Sequence, residues 1–140
     1  MGQVHVTWVQ NEQFVGMDST KHSIVLSTAN EGTGSKPSDL LLIALGACSG
    51  VDVVGILNKK RQKYTGLQIK VSGDQDADPP WTFRKIHVEY VVRGRGLSEK
   101  AVQQAIELSE NKYCSASAMM KSSAEIRSTY QIFSLQEMPT

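Results

Sequence analysis

The chain has only two cysteines in 140 residues, Cys48 and Cys114. Neither they nor His5, His22 and His87 show a metal-ligand spacing such as C-x-x-C or H-x-x-x-H, so nothing points to a zinc finger or other metal centre. Charge of one sign is also missing. Fifteen Lys and Arg stand against 14 Asp and Glu, mixed along the chain, for a net charge of +1; no basic footprint speaks for nucleic acid. The one basic cluster, Lys59, Lys60, Arg61 and Lys63, reads as a solvated helix end. Repeats and low-complexity segments are absent. The first residues carry neither a charged leader nor an apolar core, so a signal peptide is not expected and the cytoplasm is the expected location. In that reducing compartment two cysteines are more often free or catalytic than a structural staple. The longest apolar run is interrupted too early to cross a membrane: Asp39 and Asp52 bracket only about a dozen uncharged residues where roughly 20 are needed.

What is present centres on that apolar run. Pro37 suits the first turn of a helix, with Ser35 or Lys36 as its cap. From Asp39 to Leu57 the chain is nearly continuous in Leu, Ile, Ala, Gly and Val, and then turns abruptly basic, which complements the helix C-terminal dipole. At 100° per residue Leu41, Ala44, Leu45, Cys48, Val51, Asp52 and Gly55 share one stripe, and Leu42, Ile43, Gly46, Val53 and Val54 cover most of the remainder. A helix apolar on nearly every side must be enclosed by other elements. It is expected to be a buried central helix with Cys48 and Asp52 as its reactive groups.

Around it, alternation predicts strands at Val4–Val9 with one buried face, at Gln13–Met17 and at Ser23–Thr28, together an antiparallel meander. The Gly-rich link 30–35 lacks the Lys-Ser/Thr ending of a phosphate loop. After the helix, Leu67, Ile69 and Val71 mark one strand and Ile86, Val88, Tyr90 and Val92 another, joined as a hairpin. Ser98 caps a second helix with an apolar stripe of Ala101, Val102, Ala105 and Ile106. A short helical turn follows Cys114, with Ser115 or Ser117 as its cap, and a last strand carries Ile126, Ser128, Tyr130 and Ile132 on one side. The length suits one domain, 1–140. The order favours an α+β fold with antiparallel sheets around the central helix, and cover for so apolar a helix comes most simply from a second copy, an intertwined homodimer.

Cys48 is the sharpest chemical candidate, although free cysteine often serves as a small hydrophobe. Cys114, after a helix and among small hydroxylated residues, has the access and local field a resolving thiol needs. Asp52, one turn after Cys48, would blunt the thiol unless hydrogen-bonded or paired with a cation. His22, beside Lys21 at the head of the third strand, is the histidine of interest; His5 and His87 fall on polar strand faces.

Lys36-Pro37-Ser38-Asp39-Leu-Leu-Leu-Ile-Ala-Leu-Gly-Ala-Cys48 followed by Asp52-Val53, with Tyr113-Cys114-Ser115-Ala116-Ser117 later, resembles the OsmC/Ohr family of osmotically induced and organic hydroperoxide resistance proteins, and its OsmC-like subgroup in particular. The resemblance spans essentially the whole chain. It implies a homodimer with two interface sites, each with a cysteine pair. Cys48 would then be the peroxidatic thiol and Cys114 the resolving one, with a hydroperoxide as substrate, an external dithiol as reductant, and no metal or bound cofactor. Two features of the family's peroxidases are absent. Ser38 stands where they carry a Glu after the proline, with Asp39 about 100° further round the helix. No arginine precedes Arg61, so Lys21 and His22 are the N-terminal candidates for its role. The alternative function is a non-catalytic stress protein binding an apolar small molecule at the dimer-interface pocket, lined by central-helix and Met119-Met120 side chains.

Overall fold

The computed structural model describes residues 2–135. The chain divides into two compact units, Met1–Leu41 and Leu42–Thr140.

In the first unit β1 (His5–Gln10), β2 (Gln13–Met17) and β3 (Ser23–Ser27) form the expected antiparallel meander in the order β1-β2-β3. Asn11, at φ 46°, turns the chain between β1 and β2, and its carbonyl accepts the Trp8 indole N–H at 2.8 Å. Asp18 organises the next turn: its Oδ1 accepts the backbone N–H groups of Thr20 and His22 at 2.8 and 2.9 Å. These donors, the His22 amide above all, hold the Asp18 carboxyl below the usual carboxylate range. The buried face expected for β1 is not found. Val4, Val6 and Trp8 are 62–63% exposed. Alternation reports which side chains share a face, not what covers it.

The helix α1 (Pro37–Lys59) begins at the proline, with the Leu40 N–H reaching the Lys36 carbonyl, and ends where Arg61 turns at φ 55°. Its inward ladder in the second unit is Leu45, Gly46, Ser49, Val53 and Leu57. That ladder lies to one side of the expected stripe: Ala44, Val51 and Gly55 face out, Val51 being 73% exposed and Ile43 55%. Enclosure on all sides is therefore not achieved within one chain. With so little polarity on any side, the apolar pattern could not select a face. The helix has the length and apolarity of a membrane span, yet Leu45, Val53 and Leu57 belong to the core with the sheet residues Ile86, Val88, Tyr90 and Val92. It is a core helix.

That sheet has the order β4-β5-β6, from β4 (Lys63–Gln75), β5 (Phe83–Arg95) and β6 (Glu125–Leu135). β4 and β5 are an antiparallel hairpin as expected, but β6 lies parallel to β5, with Ile86 opposite Ile126 and Val92 opposite Ile132. The expectation of antiparallel sheets alone is corrected here. Between β5 and β6 the chain passes through α2 (Glu99–Leu108), a π-helical turn (Ser109–Tyr113) and α3 (Ser115–Met120). This segment returns it to the starting end of β5, as a parallel pair requires. The fold class is α+β.

The stripe of α2 is the expected one: Ala101, Val102, Ala105 and Ile106 are all buried. Ser98 caps it, its hydroxyl accepting the Ala101 N–H at 3.2 Å. Ser98→Ala should lower unfolding free energy by about 1 kcal/mol in a urea titration, because one orphan N–H of the first turn loses its acceptor. An unchanged midpoint would show that water replaces the cap at no cost.

Candidate active site

Three stretches of the second unit build the site. On α1, Cys48, Ser49 and Asp52 lie within one turn of each other. Ser49 points into the core, while Cys48 and Asp52 flank it half-buried. The π-helical turn follows α2 directly, and the Cys114 N–H closes it on the Ser109 carbonyl at 2.7 Å. Such turns frequently mark functional positions. Cys114 then caps α3, in place of the expected serine: its Sγ accepts the Ser117 N–H at 3.3 Å.

This arrangement brings the two cysteines together and makes them unlike. Cys48 Sγ lies 3.8 Å from Ser115 Oγ. The backbone N–H of Ala116 does most to lower the Cys48 pKa below the ordinary thiol range. The side chains of Cys114 and Ser115 and the Ser115 N–H act in the same direction, and partial burial opposes them. The access expected of Cys114 is not found: it is only 3% exposed, and its pKa is pushed up to about 11, first by burial and then by its neighbour Cys48, against the pull of the Ser117 N–H. Hydrogen bonds to a charged form favour it and desolvation disfavours it. Cys48 is thus the thiol that ionises first, and Cys114 the one that keeps its proton. Among the described residues the groups lowering the Cys48 pKa are the Ala116 and Ser115 amides, the Cys114 thiol and the Ser115 hydroxyl.

Asp52 does not meet Cys48 as a bare carboxylate. It accepts the Ser109 hydroxyl at 3.0 Å, the hydrogen-bonded state in which it need not blunt the thiol. Ser109 continues to Ser49 at 3.0 Å, Ser49 to the Tyr90 hydroxyl at 2.6 Å, and Tyr90 donates to Glu110 at 3.0 Å; Ser128 also donates to Glu110. Burial above all drives the Tyr90 phenol far above its ordinary range, so it stays a neutral donor. No spacing motif singles out Ser49, Ser109, Tyr90, Glu110 or Ser128. The available signal is a polar group on an inward position, as with Ser128 between Ile126 and Tyr130 on β6. Ser117 Oγ is buried and has no partner among the described residues.

Lys21, His22 and Asp39 belong to the first unit, where each serves local structure. Lys21 sits in the β2–β3 turn at φ 70°, and the exposed His22 ring lies 2.8 Å from the Thr20 hydroxyl. Asp39 is an exposed first-turn residue of α1, 3.9 Å from Lys36. Met119 faces solvent, and Met120 packs half-buried against the core. Among the described residues no three His, Cys, Asp or Glu side chains are placed to hold a metal ion.

Comparison with known proteins agrees with this architecture. A family profile described as OsmC-like protein matches residues 29–129. Protein YhfA of Escherichia coli K12 is 32% identical over 130 residues, covering 93% of this chain and 97% of its own. A crystal structure of a hypothetical protein from Aquifex aeolicus is 32% identical with a TM-score of 0.87, covering 99% of this chain and 98% of that one. The organic hydroperoxide resistance protein OhrB of Bacillus subtilis shares the fold at a TM-score of 0.62 and 15% identity, over 94% of this chain and 98% of its own.

Proposed function

Because this chain belongs to the OsmC-like protein family, linked as a family to stress and hydroperoxide resistance, we propose that it is a two-cysteine peroxidase reducing organic or other small hydroperoxides. The observation that carries this reading is the unequal cysteine pair: an easily ionised Cys48 under the first amides of α3, beside a buried Cys114 that retains its proton.

The Cys48 thiolate attacks the terminal oxygen of the hydroperoxide. An S–O bond forms, the O–O bond breaks, and the alkoxide leaves with the bonding pair and takes a proton from water; Cys48 is oxidised to a sulfenic acid. The Cys114 sulfur then attacks the Cys48 sulfur, and its proton and the sulfenic hydroxyl leave together as water. An external dithiol reduces the resulting disulfide by exchange and is itself oxidised to a disulfide. Thiols that cycle in this way belong in a reducing compartment, the cytoplasm.

The working unit we propose is a homodimer, as members of the family typically are. Each unit has exposed apolar side chains that a second copy would cover, Val6 and Trp8 of β1 in the first and Ile43 and Val51 of α1 in the second.

The test is stoichiometric. One equivalent of cumene hydroperoxide should remove both free thiols of the wild type and one of Cys114→Ser, with the single product trapped as a sulfenic acid. Wild-type protein that keeps both thiols through many minutes of exposure would sink the peroxidase reading.

A further inference from the structure

The groups that favour the Cys48 thiolate are the Ala116 and Ser115 amides and the Cys114 and Ser115 side chains. They differ in what they can do once reaction begins. The amides are fixed in the backbone of α3 and aim at the sulfur, where the thiolate charge sits before attack. As the O–O bond breaks, that charge moves outward, beyond the sulfur, to the leaving oxygen. A donor that follows it must rotate, and stabilisation counts toward rate only where it is stronger in the transition state than at rest.

From this, and resting on the peroxidase reading above, we infer that Ser115 is a catalytic residue. Its hydroxyl, 3.8 Å from Cys48 Sγ in the resting protein, turns to donate to the leaving oxygen of the hydroperoxide as the S–O bond forms. The geometry meets three requirements. Ser115 is exposed, so a hydroperoxide can reach it from solvent, whereas Cys114 is buried. Its position as first residue of α3 fixes the Cα beside Cys48 and leaves the Cβ–Oγ arm free to rotate. Its hydroxyl also has no hydrogen bond to any other group among the described residues, so the shift costs no second partner. The step is unchanged in atoms and electrons: sulfur is oxidised, the peroxide is reduced, and the alkoxide takes its proton from water while Ser115 keeps its own.

Two rates in the full-length protein test this. Alkylation of Cys48 by iodoacetamide needs the thiolate but no donor to a leaving oxygen, whereas oxidation by cumene hydroperoxide needs both. Ser115→Ala should slow oxidation roughly tenfold to a hundredfold, the scale of one lost transition-state donor, and change alkylation at the same pH less than about threefold. Ser115→Thr, which keeps the hydroxyl, should restore oxidation. Equal slowing of both rates in Ser115→Ala would show that the hydroxyl acts only on the resting thiolate, and an unslowed oxidation would show that it does not act; either overturns this inference alone. A wild type whose Cys48 ignores the hydroperoxide overturns it together with the peroxidase reading.

Discussion

Cys48→Ser should consume cumene hydroperoxide on the order of a thousandfold more slowly than wild type, as removal of a working nucleophile does. A serine hydroxyl in that position has the same amides above it, but no oxygen nucleophile there is ionised near neutral pH, and Cys114 cannot step in. Its sulfur is buried and its pKa is pushed up to about 11. The same asymmetry fixes the order of labelling. An ordinary thiol titrates at about 8.5; Cys48 is lowered and Cys114 raised from the ordinary range. At pH 7 to 8, iodoacetamide should therefore label Cys48 in strong preference, read site by site by mass spectrometry. The preference should narrow as pH rises toward about 11, where Cys114 ionises as well. The sign follows from the thiolate being the nucleophile: a lowered pKa moves reactivity to lower pH and a raised one delays it. Equal labelling at pH 7 would remove the electrostatic basis for assigning attack to Cys48 and resolution to Cys114.

How much of this was legible beforehand depended on the kind of signal. The α2 stripe and the Ser98 cap could be read residue by residue, because an amphipathic helix with polar neighbours states its own buried face. The helix α1 could not: with Leu, Ile, Val, Ala and Gly on every side, its inward ladder through Ser49 is set by packing against the sheet. The parallel β5–β6 pair was hidden for a related reason, since local alternation in β6 is the same whichever way the strand runs. In the site, the two cysteines stood out by residue type. Their difference did not, because it comes from α3 amides and from burial, neither of which is a side-chain motif. No arginine precedes Arg61, and Lys21 and His22 are not among the groups that lower the Cys48 pKa, the backbone N–H of Ala116 being the first of these.

Glu110→Ala should destabilise the protein by roughly 1–3 kcal/mol in chemical denaturation, the cost of taking an acceptor from one buried and one half-buried donor. Glu110 accepts from Tyr90 and from Ser128 on two strands of the sheet, and Tyr90 is fully buried. Tyr90 can turn its proton to Ser49, 2.6 Å away, but Ser128 has no such alternative among the described residues. Glu110→Gln keeps an acceptor oxygen and should recover at least half the loss. The effect should also reach the chemistry. Glu110 lies within the π-helical turn, whose last hydrogen bond runs from the Cys114 N–H to the Ser109 carbonyl, and Cys114 caps the helix whose first amides hold the Cys48 thiolate. Lys121 donates to the backbone carbonyl of Glu110 at 2.7 Å, a bond that the substitution leaves intact, so the turn should loosen rather than unravel. The expected signature is a Cys48 alkylation profile moved toward the ordinary thiol range, together with the lost stability. If stability falls while the Cys48 profile stays in place, the buried chain from Asp52 to Ser128 serves the fold alone. If both move, the serine, tyrosine and glutamate side chains beneath α1 are what keep the α3 amides trained on the attacking sulfur.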